Sequence, residues 1–431
     1  MNTRISAFPQ HVGEEVTIHG WIQGGRSSGK IAFFEIRDGS GFTQAVIAKD
    51  AVSEDIWAAV EEASQESSVR VTGTVAAHPK QEGVFELQVT GFELIQKAPE
   101  YPIGNKEHGP DFLMNHRHLW LRSKKQWAIL RIRDTVERAI INYLHEQGFI
   151  RTDSPIFTPN ACEGTTDLFP VPYFDLGEAY LSQSGQLYIE AAIASVGRCY
   201  DFGPVFRAEK SVTKRHLTEF WMMDAEGAFV EHDENMDIQE GLVKYIVKAC
   251  LTECKAELAV LERDTAPLEK LLELPFERLE YDDAIVRLNE LGSDIKHGED
   301  LGNDDEGLLT QNSPVPVFIH KWPKNIKPFY MKIDPENPAR VFNNDLIGIE
   351  GSGEIIGGSQ REDDFDLLLE RIKADGLSTE EYEWYLDLRK YGSVPHSGFG
   401  IGLERMVRWM SGTEHIRECI PFPRLVNRIK P

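Results

Sequence analysis

The sequence predicts an α+β protein in which a small β-barrel module at residues 1–97 precedes a large α+β body at residues 123–431. Three observations carry that reading. Residues 1–97 are short runs of alternating apolar and polar side chains separated by turn signals, the period-2 signature of half-buried strands. Residues 98–122 break the pattern with Pro99, Pro102, Gly104, Gly109 and Pro110 among polar residues, as a hinge or linker does. From Ser123 onward, helix-periodic stripes alternate with strand-like runs, without internal repeat or low-complexity tract.

Taken in order, Val16, Ile18 and Ile22 alternate with Thr17 and Trp21, and Ala32, Phe34 and Ile36 alternate with Phe33, Glu35 and Arg37. Asp38-Gly39-Ser40-Gly41 is a turn signal between two such runs. A helix is expected over roughly 54–62, between the third and fourth strands. Val69, Val71, Gly73 and Val75, then Phe85, Leu87 and Val89, supply the last strands. Four or five strands and one helix in this space fit the closed barrel of the OB-fold. Ser123 is placed to cap a helix carrying Ile129, Ile132, Val136, Ile140 and Leu144 on one stripe, stopped by Gly148. The acidic, loop-rich stretch at about 298–312 reads as a solvated insertion.

Composition narrows the function classes. The chain has 431 residues, with 46 Lys+Arg against 70 Asp+Glu and a formal charge of −24, long enough for two or three cores. No apolar run approaches the length of a helical membrane span. The start, Met1-Asn2-Thr3-Arg4-Ile5-Ser6, lacks the apolar segment of a secretory signal. Five cysteines, with Cys250 and Cys254 the one close pair, form no C-x-x-C pattern. A reducing, cytoplasmic setting without a zinc site is the expectation. The acidic balance argues against a non-specific nucleic-acid binder, so any nucleic-acid contact must rest on local positive charge.

Three stretches carry chemistry. Gly203-Pro204-Val205-Phe206-Arg207-Ala208-Glu209 is followed by Arg215-His216-Leu217-Thr218-Glu219-Phe220. An Arg and a Glu two apart on a strand share one face, and an antiparallel return would set Arg207 on a phosphate, Glu209 on an amine and Phe220 under a purine. A surface hairpin with ordinary ion pairs would carry the same residues. Gly398-Phe399-Gly400-Ile401-Gly402-Leu403-Glu404-Arg405 lets a strand backbone approach a nucleotide and aims Arg405 at a polyphosphate. A tight strand–helix crossing explains its glycines equally well. Glu354-Ile355-Ile356-Gly357-Gly358-Ser359-Gln360-Arg361 offers a carboxylate for Mg²⁺ and small residues that leave space.

Together these stretches resemble motifs 2 and 3 of the class II aminoacyl-tRNA synthetases. The helix from about Gln126 into the strand ending at Asp153-Ser154-Pro155 resembles motif 1. The resemblance spans the chain, since the N-terminal module is similar to the OB-fold anticodon domain of the aspartyl/asparaginyl/lysyl subgroup. Arg26-Ser27-Ser28-Gly29-Lys30, Lys106-Glu107-His108-Gly109, His116-Arg117-His118-Leu119-Trp120-Leu121-Arg122 and Tyr391-Gly392-Ser393-Val394-Pro395-His396-Ser397-Gly398 are most similar to the bacterial asparaginyl enzymes.

The resemblance implies an antiparallel-sheet catalytic domain and ATP-dependent ligation of L-asparagine to tRNA(Asn) through an asparaginyl-adenylate. It implies ATP as substrate, Mg²⁺ as cofactor and a homodimer formed through motif 1. It assigns the ATP site to Arg207, Glu209, Arg215, His216, Leu217, Phe220, Glu354 and Arg405, with Arg207, Arg405 and Glu354 as the catalytic set. Glu354 and Asp345 are the implied Mg²⁺ ligands, at a longer spacing than in aspartyl relatives. His216 and Asp224 are also accounted for as structural residues. The amino-acid site falls to Glu163, Ser182, Gln186, Asp224 and Arg361, with Cys162 as packing. Arg26, Phe33 and Gln44 fall to the anticodon, Phe33 as a stacking platform unless it lies under a loop, and Lys30 and Arg37 to nearby phosphates.

The choice of amino acid rests on absences from the aspartyl pattern. Aspartyl enzymes carry Q-S-P-Q and a lysine that helps hold the substrate carboxylate; here Gly185 replaces the proline and Ile189 stands at the lysine position. A bound aspartate would lack that countercharge, and a neutral amide needs none. Asparaginyl enzymes usually place Glu where this chain has Asp224, and aspartyl enzymes place Asp there. Rival readings are an aspartyl enzyme, an asparagine-forming paralogue, which would lack the anticodon domain, and a non-catalytic RNA-binding module, against which the full ATP set speaks.

Overall fold

The computed structural model describes residues 1–104, 106–159, 161–162, 168–211 and 213–431. They form two compact units, Met1–Met114 and Asn115–Pro431.

In the first unit, β1 (Glu15–Ser27), β2 (Ile31–Arg37), β3 (Phe42–Ala48), β4 (Ser68–Ala77) and β5 (Phe85–Gln96) close a barrel in the order β1-β2-β3-β5-β4. The alternation resolves as expected: Val16, Ile18, Ile22, Ala32, Phe34, Ile36, Val69, Val71, Val75, Leu87 and Val89 are buried together. The Asp38 carboxylate makes the first turn by accepting from Ser40 N (2.8 Å), Ser40 Oγ (2.7 Å) and Gly41 N (3.2 Å). Helix α1 (Glu54–Glu62) is capped by Ser53 and plugs the barrel with Trp57 and Val60. Arg37 departs from the alternation. It is 6% exposed and held by Glu66 at 2.9 Å, so it is a core ion pair and not the expected phosphate contact.

Helices α2 (Pro110–Asn115) and α3 (Arg117–Trp120) occupy part of the stretch read as a linker. Arg117 is the reason: buried, it donates to the carbonyls of Glu418, Ile420 and Pro421, three acceptors distant in sequence that no local pattern announces. The second unit therefore starts ahead of Ser123.

Helix α4 (Lys124–Glu146) is capped by Ser123, whose hydroxyl accepts from Gln126 N, and Gly148 ends it at φ +79°. Its stripe, Ile129 to Leu144, is fully buried. After β6 (Ile150–Arg151), a small sheet joins β7 (Phe157–Thr158), β8 (Pro170–Pro172) and β9 (Glu178–Leu181). There follow α5 (Gln186–Val196), β10 (Arg198–Phe206), β11 (Glu219–Ala228), α6 (His232–Glu253), α7 (Lys255–Val260), α8 (Ala266–Leu271), β12 (Glu277–Glu280), α9 (Tyr281–Glu290) and α10 (Asn303–Thr310). The chain continues through β13 (Val317–His320), β14 (Asn343–Gly348), β15 (Gly353–Gln360), α11 (Phe365–Ala374), α12 (Glu383–Lys390), β16 (His396–Gly402) and α13 (Leu403–Ser411).

The main sheet runs β12-β13-β14-β15-β16-β11-β10-β6, antiparallel except at its two edge pairs. Met223, Ala225, Ile356, Phe399 and Ile401 join one core with α4, α6 and α13. The residues between them in β11, β15 and β16 point to the other face. Helix α10 corrects a second expectation. The acidic stretch at 298–312 is not a solvated insertion, because Leu309 and Thr310 are buried and Glu306 pairs with Arg215 at 2.6 Å. Among the described residues, no helix is long and apolar enough to cross a membrane.

Candidate functional site

The open face of the main sheet is a cleft of about 570 Å³. Its floor follows from register: Asp345, Gly357, Gly400 and Asp224 lie opposite one another across β14, β15, β16 and β11. Directly opposed residues of antiparallel strands share a face. The glycines keep the floor low. A Cβ on Gly400 would meet Met222 Cε at 2.3 Å, and one on Gly398 would meet Glu226 Oε2 at 1.9 Å.

Arg207, Glu209, Arg215, His216, Leu217, Phe220, Glu354 and Arg405 all line this cleft, as do Gln186, Asp224, Arg361 and Asp345. Eleven positions chosen over two hundred residues of sequence thus converge with Asp345 on one space. Arg207 and Glu209 lie just beyond the end of β10, and the Arg207 guanidinium sits 5.9 Å from the Phe220 ring. Arg405, in the first turn of α13, donates to the Glu354 carbonyl at 2.7 Å, with the Glu354 carboxylate at 3.7 Å. Burial and the nearby Arg405 charge push His216 below the usual histidine value.

Asp345 is bonded to Lys327 at 2.8 Å, with side chains 14% and 11% exposed. Burial and the nearby Glu354 push the Asp345 carboxyl up to about 7, against the pull of Lys327. Burial works against the Lys327 charge, yet Asp345 and Asp300 hold its pKa above the ordinary value. Asp345 and the neighbouring Glu354 carboxylate are an oxygen donor set suited to a divalent cation.

At the other end, α5 begins against the sheet. Asp224 Oδ2 accepts from Ser184 Oγ at 2.8 Å and from Gly185 N at 3.0 Å, tying that helix start to β11. Arg361 is 3% exposed; its Nε and Nη2 donate to Glu226 at 3.0 and 2.9 Å and its Nη1 to Ser359 Oγ at 2.7 Å. Glu163 lies outside the described residues. Ser182 is not in the cleft: its hydroxyl donates to the Ser184 carbonyl at 2.9 Å, and it lines a separate cavity of about 240 Å³. Ser184 takes the wall instead. Ser184, Glu226, Glu306, Lys327 and Tyr330 were not singled out by sequence. Glu226 had a readable signal, since it shares a strand face with Asp224 two residues earlier.

The buried trio Glu190, Glu226 and His396 has metal-ligand spacing. Arg361 and Arg389 already balance its charge, so it is an ion-pair network rather than a metal centre.

On the barrel, β1, β2, β3 and β5 bring Arg26, Phe33, Val46 and Gln88 into one outward row, beside Glu35, Gln44 and Glu86. The Arg26 guanidinium lies 5.2 Å from the Phe33 ring. Glu86 accepts from Gln44 Nε2 at 3.3 Å and from Gln88 Nε2 at 2.7 Å, an arrangement sequence reading missed.

Comparison with known proteins gives this geometry a class. The family described as tRNA synthetases class II (D, K and N) matches residues 109–426, and the OB-fold nucleic acid binding domain matches residues 16–95. The chain belongs to the class II tRNA synthetases, with an OB-fold anticodon-binding domain ahead of the catalytic one. Within that class it is similar to the Pyrococcus horikoshii asparaginyl-tRNA synthetase complexed with asparaginyl-adenylate, at 43% identity over 98% of both chains and a TM-score of 0.93. The Entamoeba histolytica asparaginyl-tRNA synthetase, also with asparaginyl-adenylate, is 32% identical over 100% of this chain and 99% of its own, with a TM-score of 0.89. The aspartyl tRNA synthetase of the same organism is 29% identical over 100% and 93%, with a TM-score of 0.84.

Proposed function

We propose that this synthetase ligates L-asparagine to tRNA(Asn) through an asparaginyl-adenylate, consuming ATP and releasing AMP and pyrophosphate. The observation that carries the choice of amino acid is the charge balance at the α5 end of the cleft. Arg361 is already bound by Glu226 through two donors, and Asp224 adds a second carboxylate to the lining. Ile189, at the position of the aspartyl lysine, is buried with Ile193 and Cys199. An aspartate side chain would enter as an uncompensated anion, whereas a carboxamide leaves the balance intact. The similarity to asparaginyl enzymes at 43% and 32% identity supports the same choice.

In the first step a substrate carboxylate oxygen attacks the α-phosphorus of ATP, and pyrophosphate leaves with the electron pair of the broken P–O bond. No proton has to be removed, so catalysis is alignment and charge neutralisation. Arg207 holds the α-phosphate and the attacking carboxylate, Phe220 stacks on the adenine, and Glu209 accepts from its amine. Arg405 meets the γ-phosphate, with Arg215, His216 and Leu217 bordering the nucleotide. Glu354 and Asp345 are fit to hold Mg²⁺, which when bound supplies positive charge to the triphosphate oxygens. Gln186 and Ser184 receive the ammonium end, and Arg361 the side-chain oxygen. A terminal ribose hydroxyl of tRNA then attacks the adenylate carbonyl carbon, and AMP departs.

Anticodon binding falls to Arg26, Phe33 and Gln44 on the barrel face. The proposal includes a homodimer, supported by apolar side chains left on the surface around β6 to β9, among them Ile150, Phe157, Phe174 (90% exposed) and Leu176 (83% exposed). It includes a cytoplasmic setting, in keeping with five buried thiols. ATP–pyrophosphate exchange with each amino acid in turn tests the reading. Exchange with asparagine and little with aspartate is expected; equal exchange with aspartate overturns it and favours the aspartyl reading that Asp224 leaves standing.

A further inference from the structure

Glu190 follows Ile189 on α5, faces away from the cleft and is fully enclosed. Its Oε2 takes three donors: Tyr385 Oη at 2.7 Å, Arg389 Nη2 at 2.7 Å and His396 Nε2 at 3.1 Å. Its Oε1 takes Gln186 Nε2 at 3.1 Å, and the Arg361 guanidinium lies 3.9 Å away. Glu190 is thus one residue behind both walls of the amino-acid pocket, touching Gln186 on one side and Arg361 on the other.

Two consequences follow from the chemistry of a carboxylate. It accepts hydrogen bonds and cannot donate them, so the Gln186 carboxamide must turn its NH₂ backward and its carbonyl oxygen toward the ligand. Its charge, with that of Glu226, also offsets the guanidinium charges of Arg361 and Arg389, so neither guanidinium is left uncompensated for an incoming anion. Burial alone would push the Glu190 carboxyl up, but Arg389, the bond from His396 and Arg361 together hold it well below the usual range.

We propose that Glu190 is a specificity-determining positioning residue, which makes the pocket select a carboxamide over a carboxylate by consuming the charge of Arg361 and Arg389, while it also orients Gln186 toward the ammonium group that both amino acids carry. The proposal rests on the asparagine reading above and adds to it a residue that never touches the substrate.

The test is the inhibition constant of aspartate against asparagine-dependent ATP–pyrophosphate exchange, measured on the full chain. Glu190→Gln keeps the shape and removes the charge, leaving one guanidinium uncompensated; aspartate's inhibition constant falls about tenfold or more and the asparagine KM rises. Arg389→Gln removes the opposite charge, and the constant rises by about threefold or more. A purely structural role predicts that both substitutions loosen the pocket in the same direction. The inference is overturned if Glu190→Gln leaves the constant within about twofold, or if the two variants move it the same way. Should Glu190→Gln fail to fold, the direction of Arg389→Gln decides alone. If the unsubstituted protein binds aspartate as tightly as asparagine, the substrate reading itself has failed; if it discriminates and the variants do not behave as stated, Glu190 alone is misassigned.

Discussion

Asp201 and Asp224 face each other across β10 and β11, and both gather around the backbone of Gly185. A Cβ at Gly185 would stand 1.7 Å from Asp201 Oδ2, so the glycine that replaces the aspartyl proline leaves room for the buried Asp201 carboxyl. Burial and the neighbouring Asp224 push the Asp201 carboxyl up to about 7. Its folded-state value is thus above its unfolded one, so the folded chain holds an extra proton between about pH 4 and pH 7 and loses that stabilisation as pH rises. Asp201→Asn should therefore raise the melting temperature at pH 8, by an amount corresponding to roughly 1–3 kcal/mol, with the difference vanishing near pH 4. Melts at the two pH values check this; a difference that does not depend on pH counts against it. Residues of this kind were half-legible. Asp224 was picked out from its place in the pattern, but Asp201 became visible only once two strands set it opposite.

Elements are held together here by charges that sequence reading does not pair. Arg133 on α4 donates to Glu404 on α13 at 2.8 Å, and the other Glu404 oxygen accepts from the Trp221 backbone of β11 at 3.1 Å. One buried carboxylate thus joins α4, β11 and α13, the elements that carry the resemblance to motifs 1, 2 and 3. Removing its cation leaves an uncompensated buried charge, so Arg133→Met should destabilise the fold by about 3–5 kcal/mol. Arg138→Met, also on α4, which breaks the half-exposed pair with Glu253 of α6, should cost under about 1 kcal/mol. Denaturant titration of the two variants measures the contrast, and equal losses contradict it. The elements themselves were legible where a short-range rule governs: the Ser123 cap, the α4 stripe and the alternation of β1 and β2 came from spacing alone. What failed were segments whose fate depends on distant partners. Arg117 turns a proline-rich linker into packed helix through carbonyls near the C-terminus, and Arg215 draws Glu306 and α10 out of solvent.

At the scale of the whole molecule, a −24 chain binds an anionic polymer only through local features, and the barrel row of Arg26, Phe33, Val46 and Gln88 is one. Base stacking on one aromatic ring is worth about 1–3 kcal/mol, so Phe33→Ala should raise the KM for tRNA roughly 5- to 100-fold and leave ATP–pyrophosphate exchange intact. Steady-state charging and exchange on the same preparation test this; a matching loss of exchange would make Phe33 a fold residue. The signature stretches were legible because each carries its own chemistry in a short span. The countercharges that set their selectivity are spread over helices and strands far apart in the chain. That selectivity is the central claim, and it is tested most directly by letting asparagine and aspartate compete at equal concentration for one tRNA(Asn) and identifying the attached residue by mass spectrometry. Asparaginyl ester almost alone is expected; aspartyl ester in comparable amount contradicts that selectivity.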